Sequence, residues 1–189
     1  VFGRRAGAGA AQYLGALDGG RPAVAGSDID RAAEAAVAPF NGDGTENPYT
    51  VHTELQMTMN DLVGIIRRRE EMEDALEQLA ALKVRAAGVT VEGHRQFNPG
   101  WHLALDLDNM LLVSECVARA ALIREESRGG HTREDYPVMS PEWRQVNLIC
   151  RVDGDDVSVA KQPLPTMPPQ LLDLFERDEL DKYMTAGEL

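Results

Sequence analysis

Apolar positions recur at helical spacing through most of the chain and switch to alternation near its end. From residue 50, Leu55, Met59, Leu62 and Ile66 return every three or four positions, which places them on one helical face. Gly64-Ile65-Ile66-Arg67 interrupts that helix, and the pattern resumes over residues 68–87. There Met72, Ala75, Leu76, Leu79, Leu82 and Ala86 form the buried stripe. Glu70, Glu71, Glu73 and Asp74 crowd the first turns, where negative charge suits the helix dipole, and read as a solvated face. Residues 88–100 connect to a third helix over residues 101–128, opened by Asn98-Pro99-Gly100. Leu107, Met110, Leu111, Ser114, Val117 and Ala121 line one side of it. At ~1.5 Å per residue it is about 40 Å long. Three such helices, burying a common seam, predict a mainly α fold: an antiparallel three-helix bundle of the spectrin-repeat kind.

The flanks differ. Residues 1–17 form a Gly/Ala-rich helix with no capping residue before it, as expected of a piece of a longer protein. Gly3, Gly7 and Gly9 have the wrong spacing for a dinucleotide fingerprint, and no strand precedes them. A break at residues 19–22 leads to a short amphipathic helix over residues 28–40, capped by Ser27 or Asp28, with Ile29, Ala32, Ala36 and Val37 on one face. Residues 41–48 read as a loop. Beyond Pro137, residues 145–152 and 156–161 alternate around the Asp153-Gly154 turn, which predicts a β-hairpin. Pro163, Pro165, Pro168 and Pro169 then impose an extended course. A short helix around residues 169–175 and a loosely held acidic end follow, with apolar spots at Leu171, Leu174, Phe175, Leu180 and Tyr183. Such an arm wraps either a neighbour or its own domain. The expected divisions are residues 1–46, 47–137 and 138–189.

Composition narrows the function classes. A hydrophobic content of 43% in 189 residues supports a real core, and a net charge of −12 makes nucleic acid a poor partner. No apolar run reaches the ~18 residues of a membrane span, so direct membrane insertion is not expected. Cys116 and Cys150 sit among apolar residues, which favours buried free thiols in a reducing compartment over the alternative of a disulfide, for which nothing in the sequence calls. His52, His94, His102 and His131 show no ligand spacing with one another or with the cysteines, and no metal site is expected.

The densest chemistry lies in residues 124–137, Arg-Glu-Glu-Ser-Arg-Gly-Gly-His-Thr-Arg-Glu-Asp-Tyr-Pro. Helix propensity is good up to Arg128, and Gly129 and Gly130 offer the positive φ of a helix end. The following polar groups are then displayed on a loop, where binding and catalytic residues often sit. The plainer reading is a junction in which Arg and Asp pair with each other and with the last helix carbonyls. Ser127 and His131 suggest a hydrolase only weakly, since no nucleophile elbow surrounds the serine.

Residues 126–137 resemble the C-terminal signature of the succinate dehydrogenase and fumarate reductase flavoprotein subunits, Glu-Ser-Arg-Gly-(Ala/Gly)-His-x-Arg-x-Asp-Tyr-Pro. Val1-Phe2-Gly3-Arg4-Arg5-Ala6-Gly7 and the outline Leu55-Gln56-Met57-Thr58-Met59 before Gly64-Ile65-Ile66-Arg67 are similar to the same family. Trp143, the strand after it and the proline-rich return resemble the dehydrogenase branch, although Arg144-Gln145 stands where well-known members carry Lys-His. The resemblance implies that the full-length protein interconverts succinate and fumarate with FAD and passes electrons to an iron–sulfur subunit. It also implies a cytoplasmic location, peripheral at the inner face of the cell membrane through partner subunits. The resemblance further implies that the family's catalytic arginine and histidine, and the histidine that joins the flavin, would lie upstream of Val1. The fragment itself is therefore expected to be inactive and to hold no FAD, with no catalytic or cofactor-binding residue of its own. Its partners would be the rest of the flavoprotein chain and the iron–sulfur subunit. Arg128, His131, Arg133, Asp135 and Tyr136 are the candidate clasp between the flavin domain and the bundle. L-aspartate oxidase, which shares a related signature, and a non-enzymatic helical interaction module are the rival readings.

Overall fold

The computed structural model describes residues 2–17, 23–154 and 156–184 and falls into two units, Val1–Ala38 and Pro39–Leu189. The break expected at residues 19–22, the chain end at 185–189 and the Tyr183 side chain lie outside the described residues. In the first unit, α1 (Phe2–Ala16) has no buried residue, and Phe2, Tyr13 and Leu14 are exposed. The second helix, α2 (Gly26–Asn41), starts ahead of the expected Ser27 or Asp28 cap. Asp28 instead lies inside the first turn, where its charge suits the dipole and Arg31 pairs with it at 2.7 Å. Ile29, expected on a buried face, is exposed.

Two asparagines start the outer helices of the bundle in the same way. The side chain of Asn47 accepts from the Tyr49 amide at 2.9 Å and opens α3 (Pro48–Leu62); that of Asn98 accepts from the Trp101 amide at 3.1 Å and opens α5 (Pro99–Ile123). A proline follows each cap, with its φ already helical and no amide left unbonded. Between them runs α4 (Arg69–Ala86). Val51 and Leu55 of α3, Val63 just beyond it, Ala75, Leu79 and Leu82 of α4, and Leu107, Leu111 and Ala118 of α5 make the core.

Two helix ends differ from expectation. The α3 helix stops at Leu62 instead of carrying Ile66 on its face. A Cβ at position 64 would stand 2.7 Å from the Asn60 carbonyl oxygen, so the turn there needs glycine. Ile66 is consequently exposed and joins a two-residue strand, β1 (Ile66–Arg67). This strand pairs in parallel with β2 (Thr132–Arg133), Ile66 opposite Thr132 and Arg67 opposite Arg133. The last bundle helix ends at Ile123, not Arg128. Its buried stripe is Leu107, Leu111, Glu115, Ala118 and Ala121, so Val117 points outward at 41% exposure. Glu115 sits in that apolar stripe because Lys83 and Arg119 both reach its carboxylate. Burial pushes this carboxyl up, but the two cations outweigh it and hold it below the usual range.

Beyond the bundle, α6 (Pro141–Arg144) precedes an antiparallel hairpin of β3 (Val146–Asp153) and β4 (Asp156–Pro163). Gly154 supplies the left-handed residue of the turn at φ 62°. The hairpin is the one that the alternation predicts, and it packs on α5: the Cys150 thiol donates to the Cys116 carbonyl at 3.7 Å. Both thiols are free and half-buried, and burial first, then Cys150, pushes the Cys116 thiol up. The extended segment leads to α7 (Pro169–Leu172) and then α8 (Arg177–Tyr183), a helix where only a loose end was expected.

One backbone crossing sets the entry to the bundle. Glu46 pairs with Val89 in a parallel bridge, with the Glu46 amide donating to Gly88 at 3.3 Å and the Thr90 amide to Glu46 at 3.1 Å. Arg85 grips the Glu46 carboxylate with two bonds of 2.9 Å and reaches Glu54 as well. A Cβ at position 44 would come 2.0 Å from the Gly88 carbonyl oxygen, and backbone cannot swing aside. Gly44→Ala should therefore cost about 1–3 kcal/mol through overpacking, read as a lowered urea midpoint with an unchanged slope. An unchanged midpoint would show that the two strands part freely.

Candidate functional site

The site is built on the end of α5. Its last carbonyls lack intrahelical donors, and Arg133, brought alongside by the β1–β2 pair, supplies them. Arg133 Nη1 donates to the carbonyls of Ala121 and Leu122 at 2.9 Å and of Arg124 at 3.2 Å. Its Nε and Nη2 bind Asp135 bidentately at 2.8 and 2.6 Å. The Tyr136 ring lies 5.0 Å from the same guanidinium. Arg133 is completely buried, so every face of this cation is matched by protein. Asp135 is held below the usual carboxylate range chiefly by Arg133.

A second buried centre is Glu126, at 0% exposure. One oxygen accepts from Arg124 Nη1 at 2.6 Å and from Arg128 Nε at 3.2 Å; the other accepts from the Ser140 amide at 3.1 Å. Burial pushes the Glu126 carboxyl up, but the Ser140 amide, Arg124 and Arg128 outweigh it and hold it low. Arg124 also donates to the carbonyls of Trp143 at 3.1 Å and Val146 at 3.3 Å, and stacks over the Trp143 ring. The pair thus ties the bundle end to the foot of the hairpin.

Between these centres the loop is stapled by its own polar groups. Ser127 Oγ donates to the Tyr136 carbonyl and accepts from the Arg133 amide, both at 2.8 Å, so this hydroxyl serves the backbone. Arg128 and His131 exchange backbone bonds of 2.8 and 3.1 Å across a tight turn with Gly129 at φ 60°. His131 Nε2 lies 3.0 Å from the Arg124 carbonyl, which assigns it the proton; Nδ1 then accepts from Arg67 Nη1 at 2.6 Å. Burial first, and then the charges of Arg67, Arg133 and Arg124, lower the pKa of His131, while the Arg124 carbonyl works the other way. The imidazole is therefore neutral in the folded chain at neutral pH. An outer ring of exposed pairs, Arg68 with Glu134 and Arg69 with Glu125, surrounds the loop.

All five residues singled out in the sequence lie in this loop, and Arg133, Asp135 and Tyr136 share one set of contacts. Arg128 stands 40% exposed on Glu126, and His131 faces Arg67. Sequence reasoning missed Glu126, Arg124 and Arg67 as members. The alternation Arg124-x-Glu126-x-Arg128 is the available signal, since an extended segment puts all three on one side.

A helical bundle closed by a buried arginine and braced to a hairpin defines a scaffold domain whose polar residues are engaged mostly with one another. The chain belongs to the family described as fumarate reductase flavoprotein C-term, whose model matches residues 52–173. A fumarate reductase (CoM/CoB) chain of Methanothermobacter marburgensis is 37% identical over 151 residues, covering 80% of this chain and 27% of that protein. The fumarate reductase flavoprotein subunit of Escherichia coli is 34% identical over 207 residues, covering 100% of this chain and 32% of its relative. Mycobacterium smegmatis Sdh1 in complex with UQ1 superposes with a TM-score of 0.91 at 54% identity, over 98% of this chain and 32% of that one. Adenylylsulfate reductase from Archaeoglobus fulgidus, 20% identical with a TM-score of 0.67, shares the fold. The chain thus spans about a third or less of the relatives that it matches.

Proposed function

We propose that this chain is the docking part of an FAD-dependent succinate dehydrogenase or fumarate reductase flavoprotein subunit. The parent protein interconverts succinate and fumarate and passes electrons to an iron–sulfur subunit. It lies in the cytoplasm, held at the inner face of the membrane by its partners. The 54% identity to Sdh1 across 98% of the chain carries the reading. FAD bound in the parent would supply the redox chemistry on the dicarboxylate. The residues of this chain contribute position instead of chemistry: Arg133, Asp135 and Tyr136 stiffen the loop, and Arg128 and His131 present its outer edge to the flavin-binding part. No residue here is assigned to the flavin or to the dicarboxylate.

Two measurements test the reading. The full-length protein, supplied with an artificial electron acceptor, should oxidise succinate and leave L-aspartate untouched. Turnover of L-aspartate instead would transfer the chain to the aspartate oxidases. The isolated chain should purify without flavin absorbance, and stoichiometric flavin would move the cofactor-binding boundary into these residues.

A further inference from the structure

Six arginines converge where the α3–α4 turn meets the loop after α5: Arg67, Arg68, Arg69, Arg124, Arg128 and Arg133. Five of them hold carboxylates. Arg68 pairs with Glu134, Arg69 with Glu125, Arg124 and Arg128 with Glu126, and Arg133 with Asp135. Among the described residues Arg67 has no carboxylate partner. Its Nε donates to the carbonyls of Gly64 at 2.6 Å and Val63 at 3.3 Å, and its Nη1 meets the neutral His131. The charge of Arg133, which has the same sign, acts on it. Burial first, and then Arg133, hold the Arg67 guanidinium below its ordinary range. A half-buried cation facing another cation is unfavourable unless a counter-charge is supplied. This occurs in a chain with 31 acidic side chains against 19 Lys and Arg, where finding a partner is easy. Beside Arg67, Ile65 is 70% exposed and Ile66 61% exposed.

We infer that Arg67, flanked by the exposed Ile65 and Ile66, is the docking point for an acidic side chain of the flavin-binding part of the parent polypeptide. The inference rests on the reading of this chain as the C-terminal part of such a flavoprotein. Charge complementarity sets the chemistry of the partner: a carboxylate next to an apolar residue. The apolar neighbours favour polypeptide over a small free anion, because an anion would fill the cationic corner and leave both isoleucines in water. The two-residue β1–β2 pair fixes the height of the guanidinium, since Arg67 is opposite Arg133 and the Glu134 amide donates to the Arg67 carbonyl at 3.0 Å.

The test uses the full-length flavoprotein with its flavin bound. Arg67→Met, Arg67→Gln and Arg67→Lys are compared with wild type and with Arg68→Met, which breaks only an exposed pair. Two quantities are read: the rate of tryptic cleavage after Arg128, and the temperature at which flavin fluorescence appears. Met and Gln should both speed cleavage about tenfold and release flavin at lower temperature, because opening of the junction exposes the turn. Lys, which keeps the charge, should stay within about twofold of wild type, as should Arg68→Met. Gln serves where Met fails to accumulate, since it keeps a donor for the Val63 and Gly64 carbonyls. Met and Gln matching wild type would overturn the inference. Lys behaving like Met would also do so, reducing Arg67 to a brace for those carbonyls. Wild-type protection that rises with added sulfate and vanishes in Gln would assign the corner to a free anion. Succinate turnover by wild type is scored separately, so failure of the parent reading leaves the cleavage comparison intact.

Discussion

Replacing Arg133 by methionine is expected to destabilise Pro39–Leu189 by about 3–5 kcal/mol, the usual cost of removing one member of a buried, fully bonded ion pair. Methionine keeps much of the volume, so the loss would not come from a cavity. It would come from the Ala121 and Leu122 carbonyls and from Asp135, which lose their Arg133 donors together, while the Arg124 carbonyl keeps the bond from His131 Nε2. The Asp135 side chain is 31% exposed and can turn to water, so Asp135→Asn should cost distinctly less than Arg133→Met. A double-mutant cycle between the two positions would show coupling, since both belong to one network. Urea unfolding followed by helix signal measures all three variants. A loss below about 1 kcal/mol for Arg133→Met would mean that water replaces the guanidinium at the helix end, and that the loop opens in solution.

Arg133 also shows where sequence reasoning stops. Leu55, Leu79, Leu82, Leu107 and Leu111 are core residues, and spacing alone identifies them, because one helical face must meet two others. The hairpin is equally legible, through alternation on either side of Asp153-Gly154. The end of α5 is not. Residues 124–128 have good local propensity, and what stops the helix is a guanidinium from later in the chain that occupies its carbonyls. Tertiary bonding overrides a weak local preference there. The β1–β2 pair is two residues long and joins positions far apart in the chain, so it carries no periodicity to read. Glu115 and Glu126 break the rule that carboxylates face water because each meets two cations: Lys83 from α4 and Arg119 one turn on for Glu115, and Arg124 and Arg128 two residues to either side for Glu126. The bonds at the site follow the plainer of the two readings of the loop, Arg and Asp pairing at a helix end. Of the six clustered arginines, Arg67, on a different turn, has no carboxylate partner among the described residues.

Acidification should weaken the fold in two stages, and Glu126→Gln should remove much of the second. His131 has a folded pKa below its unfolded value, so the unfolded chain takes up the proton first. Stability should therefore fall gently as pH drops below ~6.5, until the folded imidazole also protonates. Glu126, Glu115 and Asp135 are likewise depressed in the folded state. Their contribution is complete above the unfolded value of about 4 and is lost as pH falls through the folded values, which gives a second, steeper decline. Glu126→Gln places an amide where a buried carboxylate holds Arg124, whose own side chain is only 17% exposed. At neutral pH this should cost about 3 kcal/mol, with Arg128 adding little because water screens its exposed half. Below pH ~4 the variant and wild type should converge, since wild type is then losing the same charge. Urea midpoints measured across this range decide the matter. A constant gap between the two proteins from neutral to acid pH would show that Glu126 acts through packing and its bond to Ser140, with its charge contributing nothing.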